Sequence, residues 1–382
     1  MKLLFSAGEA SGDRHGAAVL AALKQKMPEI QALAMGGPAL KAAGARMVVD
    51  STELGVIGLF EVIRHYPKIR RALNIMKETL VKERPDLLIC VDYKEFNFRL
   101  AKYAKHLGIK VLFYVSPQVW AWRPGRVKQY GRVISAMAVI FPFETAYYQA
   151  EGIPVRYVGH PLLDQRQAPR QRAEARTALA LTEAEGPVIG LLPGSRIQEI
   201  ERLLPVMLAA VSLLQQRYPK ARFVWLAAER LSANEIQQRL GGRSIRVCQQ
   251  PIEQVAPACD VVMATSGTAT LETALLTVPM VIVYKLYPLT YWLARRVVKT
   301  KFIGLPNIIA GRGVVRELIQ QQANAANLAA EMVRLLDDAD YRQRQISALQ
   351  QVKQTLGSGG AAENMAEFIV DLTCQPQETL QK

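Results

Sequence analysis

Short apolar runs constrain the fold of this chain more than any other feature of its sequence. Residues 87–92 and 111–116 show the pattern most clearly: each run is nearly continuous rather than alternating, and a helical stretch separates the two. A continuous apolar run of this length predicts a strand that is buried on both faces, as in a parallel sheet covered by helices. The chain is therefore expected to be α/β.

The runs fall into two series separated by a polar link. Between residues 164 and 176 the composition changes to Gln, Arg, Ala and Pro, without a buried run. Two such series predict two doubly wound, Rossmann-like domains, each binding its ligands beyond the carboxyl ends of its strands. The predicted strands are 2–7, 87–92, 111–116, 136–141 and 155–158, then 188–192, 222–226, 244–248, 260–264 and 280–283.

The length of the chain agrees with this division. A chain of 382 residues is too long for one ordinary core and suits two α/β domains. We expect the first domain over residues 1–165 and the second over 176–338. The sequence reads as helical after residue 323, and helices within 339–382 are expected to cross back and pack on the first domain.

The cysteines and the net charge bear on the compartment in which the protein works and on the kind of partner that it binds. The four cysteines form no CxxC pair and have no His at metal-ligand spacing, which favours reduced thiols in a cytoplasm over zinc or disulfides. No uncharged run approaches the roughly 20 residues that span a bilayer. The net charge of +15 fits an anionic partner, such as nucleic acid, an anionic membrane surface or a phosphorylated substrate, but also a protein that is merely basic.

Two features of the first domain follow predicted strands. The turn at 8–13, Gly-Glu-Ala-Ser-Gly-Asp, opens a helix, whose free N–H groups suit an anion. A tight turn capped by Ser11 or Asp13 explains the same residues. Asp92 closes the buried strand 87–92, where a carboxylate faces the crevice and can act as a general base. Alternatively, Asp92 caps the helix that follows.

The second domain has two turns of the anion-binding type. Residues 191–196 place Gly194 and Ser195 at a helix start, with Arg196 suited to a diphosphate. Residues 264–272 repeat the arrangement, and Glu272 can accept hydrogen bonds from a ribose diol. Together they suggest a nucleotide diphosphate site, although each alone is also an ordinary capped helix.

Three further segments suit a site or a surface. Residues 115–123 carry Trp120 and Trp122, which fit either a crevice wall or a satellite core. Residues 304–312 read as a loop at the lip of a site. Residues 60–73 mix apolar and basic side chains near helical spacing, which suits an anionic membrane interface. The alternative for 60–73 is an amphipathic helix covering the sheet.

Taken together, these motifs resemble the lipid-A-disaccharide synthase family, which has the two-domain GT-B glycosyltransferase fold. The tryptophan string and the Asn-Gly-Arg segment are the specific ones, and the motifs keep one order over nearly the whole chain. The strings are GEASGD at 8–13, VSPQVWAWR at 115–123, LLPGSR at 191–196 with Glu199 beyond it, TSGTATLE at 265–272 and LPNIIAGR at 305–312.

The resemblance implies an inverting transfer of 2,3-diacylglucosamine from its UDP conjugate to 2,3-diacylglucosamine 1-phosphate (lipid X). The UDP-sugar is a substrate, and no metal or other cofactor is expected. Asp92 falls on the position of the proposed general base, and Arg196 would stabilise the leaving UDP. The peripheral location implied is the cytoplasmic face of an anionic inner membrane.

The resemblance also implies roles for other residues. The sugar-binding set expected is Gly8, Glu9, Ser11, Asp13, His15, Asn97, Trp120 and Trp122. The UDP-binding set expected is Ser195, Arg196, Ser266, Gly267, Thr268, Glu272 and Asn307. For docking on the membrane we expect Phe60, Ile63, Arg64, Ile69, Arg70 and Arg71.

One departure from the family pattern lies beside the proposed base. The family commonly reads Ser/Ala-Pro-Asp-Phe-Asn after the aspartate, whereas this chain has Tyr93, Lys94 and Glu95 before the shared Phe-Asn. The substitution leaves the fold expectation intact and puts the local geometry and acceptor choice in question.

Two other functions remain open from the sequence. One is a different nucleotide-sugar enzyme of the same fold, acting on another lipid acceptor. The other, from a different class, is a basic nucleic-acid-binding protein. The second would predict a continuous Lys/Arg stripe with a recognisable module, and the cations here are spread over many helices. Nucleic acid is therefore not expected as a partner.

Overall fold

The computed structural model describes residues 1–52, 59–122, 125–165, 168–181, 186–228, 231–298 and 300–374. Within these ranges the side chains of residues 59–65, 122, 165, 289 and 294 are not described. The chain divides into two compact units. The first comprises Met1–Gln165 and the chain from Ser358 onward, and the second comprises Arg166–Gly357.

The first unit is built on a sheet of seven described strands, all parallel to their neighbours. Their order in the sheet is β3-β2-β1-β4-β5-β6-β7. The central strands are fully buried because helices cover both faces. The strands are β1 (Lys2–Ala7), β2 (Gln31–Gly36), β3 (Arg46–Asp50), β4 (Leu87–Val91), β5 (Lys110–Tyr114), β6 (Ala136–Val139) and β7 (Val155–Tyr157).

Helices follow the strands of the first unit and pack their apolar sides on the sheet. One core lies under α1 and another under α3 and α4. The helices are α1 (Ala10–Lys26), α2 (Pro38–Ala42), α3 (Leu59–Glu83), α4 (Lys94–His106), α5 (Val119–Trp122), α6 (Arg126–Gly131), α7 (Thr145–Gln149) and α8 (Pro161–Gln165).

The second unit repeats the architecture with six described strands, again all parallel. Their order is β10-β9-β8-β11-β12-β13. The strands are β8 (Val188–Leu192), β9 (Arg222–Leu226), β10 (Arg246–Cys248), β11 (Val261–Thr265), β12 (Met280–Tyr284) and β13 (Glu317–Ile319).

Helices also cover both faces of the second sheet, with a separate buried core on each side. They are α9 (Arg172–Ala178), α10 (Ile197–Arg217), α11 (Ala233–Leu240), α12 (Ile252–Val255), α13 (Thr268–Leu275), α14 (Pro288–Val297), α15 (Leu305–Ala310), α16 (Ala325–Asp337) and α17 (Ala339–Thr355). The last described helix is α18 (Ala361–Cys374), which belongs to the first unit.

The chain returns to the first unit later than the sequence predicts. The predicted boundary at residue 339 would place α17 with the first domain. Instead α17 packs on α13 and α15, and the Gln345 side chain exchanges hydrogen bonds with the backbone of Met280, 2.7 Å and 3.1 Å long. The crossing lies after Gly357, and α18 packs on α1.

Two parallel sheets with covering helices confirm the predicted α/β class. The sequence pattern missed β2, β3 and β13. Strand β3 is only half-buried and β13 has three residues, so neither forms a continuous apolar run. Among the described helices, none is long and apolar enough to cross a bilayer.

Candidate active site

The strand order of the first sheet reverses between β1 and β4. In doubly wound sheets the carboxyl ends of the two strands at such a reversal flank the ligand crevice. The turn that begins at Gly8 follows β1, and Asp92 follows β4. The fold therefore brings together two features that lie more than eighty residues apart in the sequence.

The two loops touch through Gly8 and Tyr93. A methyl group on Gly8 would overlap the ring of Tyr93, so this close approach requires glycine. The Tyr93 ring also packs against Phe96, with 5.3 Å between ring centroids. The tyrosine that departs from the family pattern is thus part of the wall beside Asp92.

Asp92 stands in an unusual backbone conformation that Asn97 supports. Asp92 and Tyr93 both have left-handed φ angles, 47° and 48°, which is uncommon for residues other than glycine. The buried Asn97 Nδ2 donates to the carbonyl oxygen of Asp92 at 2.7 Å. It also donates to the carbonyl of Ser6, while the Ser6 hydroxyl donates to Asn97 Oδ1 at 2.6 Å. Asn97 therefore positions Asp92, whereas the sequence predicted a sugar contact.

The acidic end of the first turn has a structural role. Asp13 is 3 % exposed, and its carboxylate accepts three backbone hydrogen bonds at the start of α2, from Gly37, Ala39 and Leu40. Its acceptors point at α2, so the predicted sugar contact through Asp13 is not supported. Glu9, in contrast, is exposed, and Ser11 is half-buried.

His15 lies on α1 at the same edge and faces Tyr114, with ring centroids 6.2 Å apart. Burial, with a smaller contribution from Arg14, lowers the pKa of His15 to about 4. Burial also lowers the pKa of His160 to about 4, with His15 as the second cause. The backbone N–H of Leu162 donates to Nδ1 of His160 at 3.2 Å, so a neutral His160 carries its proton on Nε2.

Trp120 is packed rather than open to solvent. Its indole is 7 % exposed, and its Nε1 donates to Glu144 Oε1 at 3.0 Å. The other carboxylate oxygen accepts from the backbone N–H of Phe141 at 3.1 Å. Burial raises the pKa of Glu144 to about 7 despite these donors. For Trp120 the satellite core is therefore the observed alternative, and Trp122 lies outside the described side chains.

Glu144 and His160 are not identified as candidate residues by the sequence. His160 follows β7 in the string Gly-His-Pro, and Glu144 ends the turn after β6. Their position after strands could have drawn attention to them. The sequence does not show, however, that Glu144 accepts a hydrogen bond from Trp120 or that His160 packs against Phe141.

The second sheet reverses its strand order between β8 and β11. The carboxyl ends of these strands lead into the two predicted anion-binding turns, at Gly194 and at Gly267. A methyl group on Gly194 would lie 2.6 Å from Glu199 Oε2 and 3.3 Å from Thr265 Cγ2, so the two turns are in close contact. Both therefore face the crevice that the strand order predicts for this unit.

The first of these turns presents an available cation. Arg196 immediately precedes α10, and its Nη1 lies 3.5 Å from Glu199 Oε1. The arginine side chain is 69 % exposed, so this ion pair contributes little and the guanidinium can turn toward a ligand. Burial, followed by the Glu199 carboxylate, raises the pKa of Tyr284 at the end of β12. Ser195 is exposed beside Arg196.

The second turn presents hydroxyl groups and backbone N–H groups. Ser266 Oγ donates to the carbonyl of Ile303 at 2.8 Å, which fixes the turn. Gly267 and Thr268 are exposed at the start of α13, and Glu272 is half-buried one turn later. Among the described residues, the buried Thr265 Oγ1 has no hydrogen-bond partner.

Asn307 does not reach this crevice. Residues 305–310 form α15 rather than a loop, and the Asn307 side chain is 1 % exposed. Its Nδ2 donates to the carbonyl of Val315 and to Glu317, both at 2.8 Å. Its Oδ1 accepts from the backbone N–H groups of Val314 and Val315, also at 2.8 Å. This saturated side chain shapes the segment, so the predicted contact with UDP is not supported.

A family model described as "Lipid-A-disaccharide synthetase" matches residues 3–370. The chain is 43 % identical to the lipid-A-disaccharide synthase of Geobacter sulfurreducens over 97 % of both proteins. It is 44 % identical to that of Trichlorobacter lovleyi over 98 % of both, and 44 % identical to that of Nitrosococcus oceani over 95 % of this chain and 94 % of that protein. The chain belongs to the lipid-A-disaccharide synthase family. Membership confirms the resemblance carried by the motifs and the glycosyltransferase class.

Solved structures of low identity share the fold. A UDP-GlcNAc 2-epimerase from Neisseria meningitidis aligns with a TM-score of 0.65 at 14 % identity, over 97 % of this chain and 100 % of the other. MurG from Acinetobacter baumannii aligns with a TM-score of 0.56 at 16 % identity, over 97 % and 98 %. These similarities confirm the predicted GT-B architecture for this member of the lipid-A-disaccharide synthase family.

The segment expected to dock on a membrane is only partly described. The side chains of Phe60, Ile63 and Arg64 lie outside the description. Ile69 is half-buried and packs against the core under α3, whereas Arg70 and Arg71 are exposed. In this member of the lipid-A-disaccharide synthase family, α3 thus covers the sheet with one side and presents cations on the other.

Proposed function

We propose that this protein transfers 2,3-diacylglucosamine from its UDP conjugate to the 6-hydroxyl of 2,3-diacylglucosamine 1-phosphate. The products are the β-1,6-linked disaccharide 1-phosphate and UDP. The observation that carries the proposal is the placement of Asp92 beside the Gly8 turn at the strand reversal of one sheet. The chain's membership of a glycosyltransferase family supports the donor and the acceptor.

Asp92 is proposed as the general base. Asp92 follows a buried strand at the strand reversal, and a carboxylate there is suited to accept the proton of the acceptor hydroxyl. The oxygen then attacks the anomeric carbon as the bond to the UDP oxygen breaks. Attack from the opposite side inverts the anomeric centre, which gives the β-linkage.

The second unit is proposed to bind and stabilise the leaving UDP. Negative charge grows on the diphosphate as the glycosidic bond breaks, and fixed donors aimed at that charge lower the barrier. The exposed Arg196 guanidinium and the free N–H groups at the start of α13, near Gly267 and Thr268, are suited to it. The unpartnered Thr265 hydroxyl and the Glu272 carboxylate are proposed to contact the diphosphate and the ribose, respectively.

On the sugar side, His15 is proposed to contribute as a neutral imidazole. With a pKa of about 4 it carries no charge at neutral pH, so it can meet a sugar hydroxyl as an uncharged hydrogen-bonding group. Glu9 and Ser11 lie on the same turn, and they remain predictions for sugar binding.

We further propose that the protein works on an anionic membrane surface, the cytoplasmic face of the inner membrane. Both proposed substrates carry acyl chains that remain in a bilayer. The exposed guanidinium groups of Arg70 and Arg71 on α3 suit anionic lipid headgroups, each contributing about 1 kcal/mol.

The decisive test measures UDP release from UDP-2,3-diacylglucosamine in detergent micelles, with and without lipid X, for wild type and Asp92→Asn. We expect acceptor-dependent release by wild type and a fall on the order of a hundredfold or more in kcat for Asp92→Asn. Asp371→Asn is the matched control, since Asp371 pairs with Arg156 on the surface of the same unit. It should leave kcat unchanged.

Each outcome separates the parts of the proposal. Activity that survives Asp92→Asn would keep the reaction and remove Asp92 as the base. Binding of UDP without any acceptor-dependent release would point to a related transferase with another lipid acceptor. In that case the departure at Tyr93, Lys94 and Glu95 would be the first place to examine.

A further inference from the structure

Large apolar side chains are concentrated on the exposed surface around α14. Ten large apolar side chains of the described residues are exposed, and five of them lie within residues 287–298. A monomeric soluble protein rarely clusters such residues, and a contiguous patch marks an interaction surface. The five are Tyr287 at 63 % exposure, Trp292 at 50 %, Leu293 at 51 %, Val297 at 45 % and Val298 at 41 %.

The same stretch of chain carries only positive charge. The 44 residues from 273 to 316 contain no Asp or Glu and seven Lys or Arg. Such a run in an amphipathic segment is complementary to an anionic surface rather than to a mixed protein surface. The seven are Lys285, Arg295, Arg296, Lys299, Lys301, Arg312 and Arg316.

Cations and aromatic rings stand next to each other on this surface. The guanidinium of Arg296 lies 3.4 Å from the ring centroid of Trp292, one helical turn earlier. The guanidinium of Arg202 lies 4.0 Å from the ring centroid of Tyr287, and its Nη1 donates to the carbonyl of Lys285 at 3.1 Å. Paired aromatic and cationic groups are typical of segments at the level of lipid headgroups, because the ring is amphipathic and the cation meets the phosphates.

The position of α14 relates this surface to the donor site. Strand β12 neighbours β11 in the sheet, and its carboxyl end leads through Tyr287 directly into α14. The surface therefore begins at the same sheet edge as the turns at Gly194 and Gly267. A donor lipid held in a bilayer against α14 would have its diphosphate near these turns.

We infer that residues 287–298 dock this unit on an anionic phospholipid bilayer, and that this contact presents the membrane-held donor to the UDP-binding turns. The inference rests on the proposed function and adds a second, independent docking element to α3. Trp292, Leu293, Val297 and Val298 would enter the headgroup region, while Arg295 and Arg296 would meet lipid phosphates.

Two other occupants fit the surface less well. A second copy in a symmetric contact would set this all-positive stretch against itself, which is unfavourable. Nucleic acid would match the charge but would leave the aliphatic side chains Leu293, Val297 and Val298 exposed to water. A bilayer satisfies both the charge and the apolar area.

The test is co-sedimentation of the full chain with phosphatidylcholine vesicles that contain about one-third phosphatidylglycerol. Neutralising Arg295→Gln and Arg296→Gln together should weaken binding on the order of thirtyfold. Trp292→Ser with Leu293→Ser should weaken it by about tenfold or more. Arg295→Lys with Arg296→Lys keeps the charge and should bind within about twofold of wild type.

The control pair is Leu213→Ser with Lys220→Gln, which removes an exposed apolar group and a cation elsewhere in the same unit. It should bind as wild type does. Tryptophan fluorescence gives a second readout: vesicles with brominated acyl chains should quench wild type more than Trp292→Phe.

The outcomes distinguish this inference from the proposed function. If wild type binds vesicles and the α14 variants bind equally well, α14 is not a docking element. The proposal that the protein works on a membrane surface is then unaffected. If wild type does not bind vesicles, both the α14 inference and the proposed action on a membrane surface fail. Every α14 variant should keep wild-type UDP release in detergent micelles. A concentration-dependent dimer that the same variants abolish would identify a second copy as the occupant and overturn the inference.

Discussion

A buried amide holds the backbone at Asp92. Asn97 fills its hydrogen-bonding capacity with Ser6 and the carbonyls at the end of β4, and this holds two consecutive left-handed residues in place. Strained backbone at a site persists only where its surroundings over-determine it. We therefore regard Asn97 as a positioning residue for the proposed base.

Asn97→Ala is expected to lower kcat on the order of a hundredfold and to leave the KM for the UDP-sugar nearly unchanged. The reason is that Asp92 shifts while the UDP-binding turns, which belong to the other unit, stay intact. The unpaired carbonyls should also cost about 3 kcal/mol of stability. Steady-state kinetics and urea unfolding check both effects.

Asn364→Ala is the matched control for Asn97. The Asn364 side chain donates to the carbonyl of Val158 at 3.1 Å in the same unit, so its loss should cost about 1 kcal/mol and leave kcat unaltered. A raised KM with normal kcat in Asn97→Ala would show direct substrate contact instead.

The buried His160 makes stability depend on pH. Its pKa is lowered from 6.5 to about 4 in the folded protein. Between these pH values the unfolded chain therefore binds a proton that the folded chain does not bind. The stability that follows is present above pH 6.5 and is lost as the pH falls toward 4. Between pH 7 and pH 5 the loss is about 2 kcal/mol.

His160→Asn is expected to remove this loss, because the asparagine Oδ1 can still accept the hydrogen bond from Leu162 and has no proton to gain. Urea unfolding of both proteins at pH 7 and pH 5 measures the difference. Glu144 acts in the opposite direction, since its raised pKa of about 7 makes stability fall as the pH rises from 4.5 through 7. An equal pH dependence in wild type and variant would contradict the role of His160.

At the residue scale, the sequence indicated positions better than partners. Asp92, Gly194 and Gly267 could be found because each follows an apolar run, and the strand order then places each at a reversal. The sequence predicts ligand contacts for Asp13 and Asn307, whereas both side chains bind backbone groups. A polar residue in a turn gives the same sequence pattern in either case. Only the fold shows which donors surround it.

At the scale of elements, the Asp13 carboxylate ties α1 to α2. Three backbone N–H groups at the start of α2 have no helical acceptor, and Asp13 accepts all three. These bonds hold the start of α2 against the first turn of α1. These distances support a role for Asp13 in holding the two helices together rather than in contacting a substrate.

Asp13→Asn is expected to lower the free energy of unfolding by about 1–2 kcal/mol, because one acceptor becomes a donor that faces another donor. Substrate KM should be nearly unchanged once the variant is folded. Asp338→Asn serves as the control: Asp338 caps α17 through one exposed N–H, that of Tyr341, and should cost less. A large rise in KM for either substrate would restore Asp13 to the binding site.

A continuous apolar run predicted several strands, but it was not sufficient, since β2 has such a run over residues 32–35 and was missed. Strands β1, β8 and β9 match the predicted ranges, because a strand buried on both faces needs an unbroken run. The half-exposed edge strand β3 and the short β13 carry no such signal. The boundary after α17 was missed because two amphipathic helices in succession do not show which core each one covers.

At the scale of the whole molecule, the chain visits its two units in the order first, second, first. Helix α17 completes the second unit and α18 completes the first, although only residues 356–360 separate them. Asp164 accepts from the backbone N–H groups of Gly360 and Ala362 and so secures the start of α18. The last described helix thus supports the unit that contains Asp92.

Ile369→Ala should therefore destabilise the first unit, and Leu349→Ala the second, by about 2–5 kcal/mol each. Both side chains are fully buried aliphatics, one on α18 and one on α17. Hydrogen exchange separates the effects, since Ile369→Ala should speed exchange in β1 and β4 and leave β8 protected. Leu349→Ala should do the reverse.

Because Asp92 follows β4, Ile369→Ala should also reduce kcat at temperatures where the first unit loosens, before UDP binding is lost. Equal exchange in both units for either variant would mean that the two cores unfold together and that the crossing of the chain does not divide them energetically.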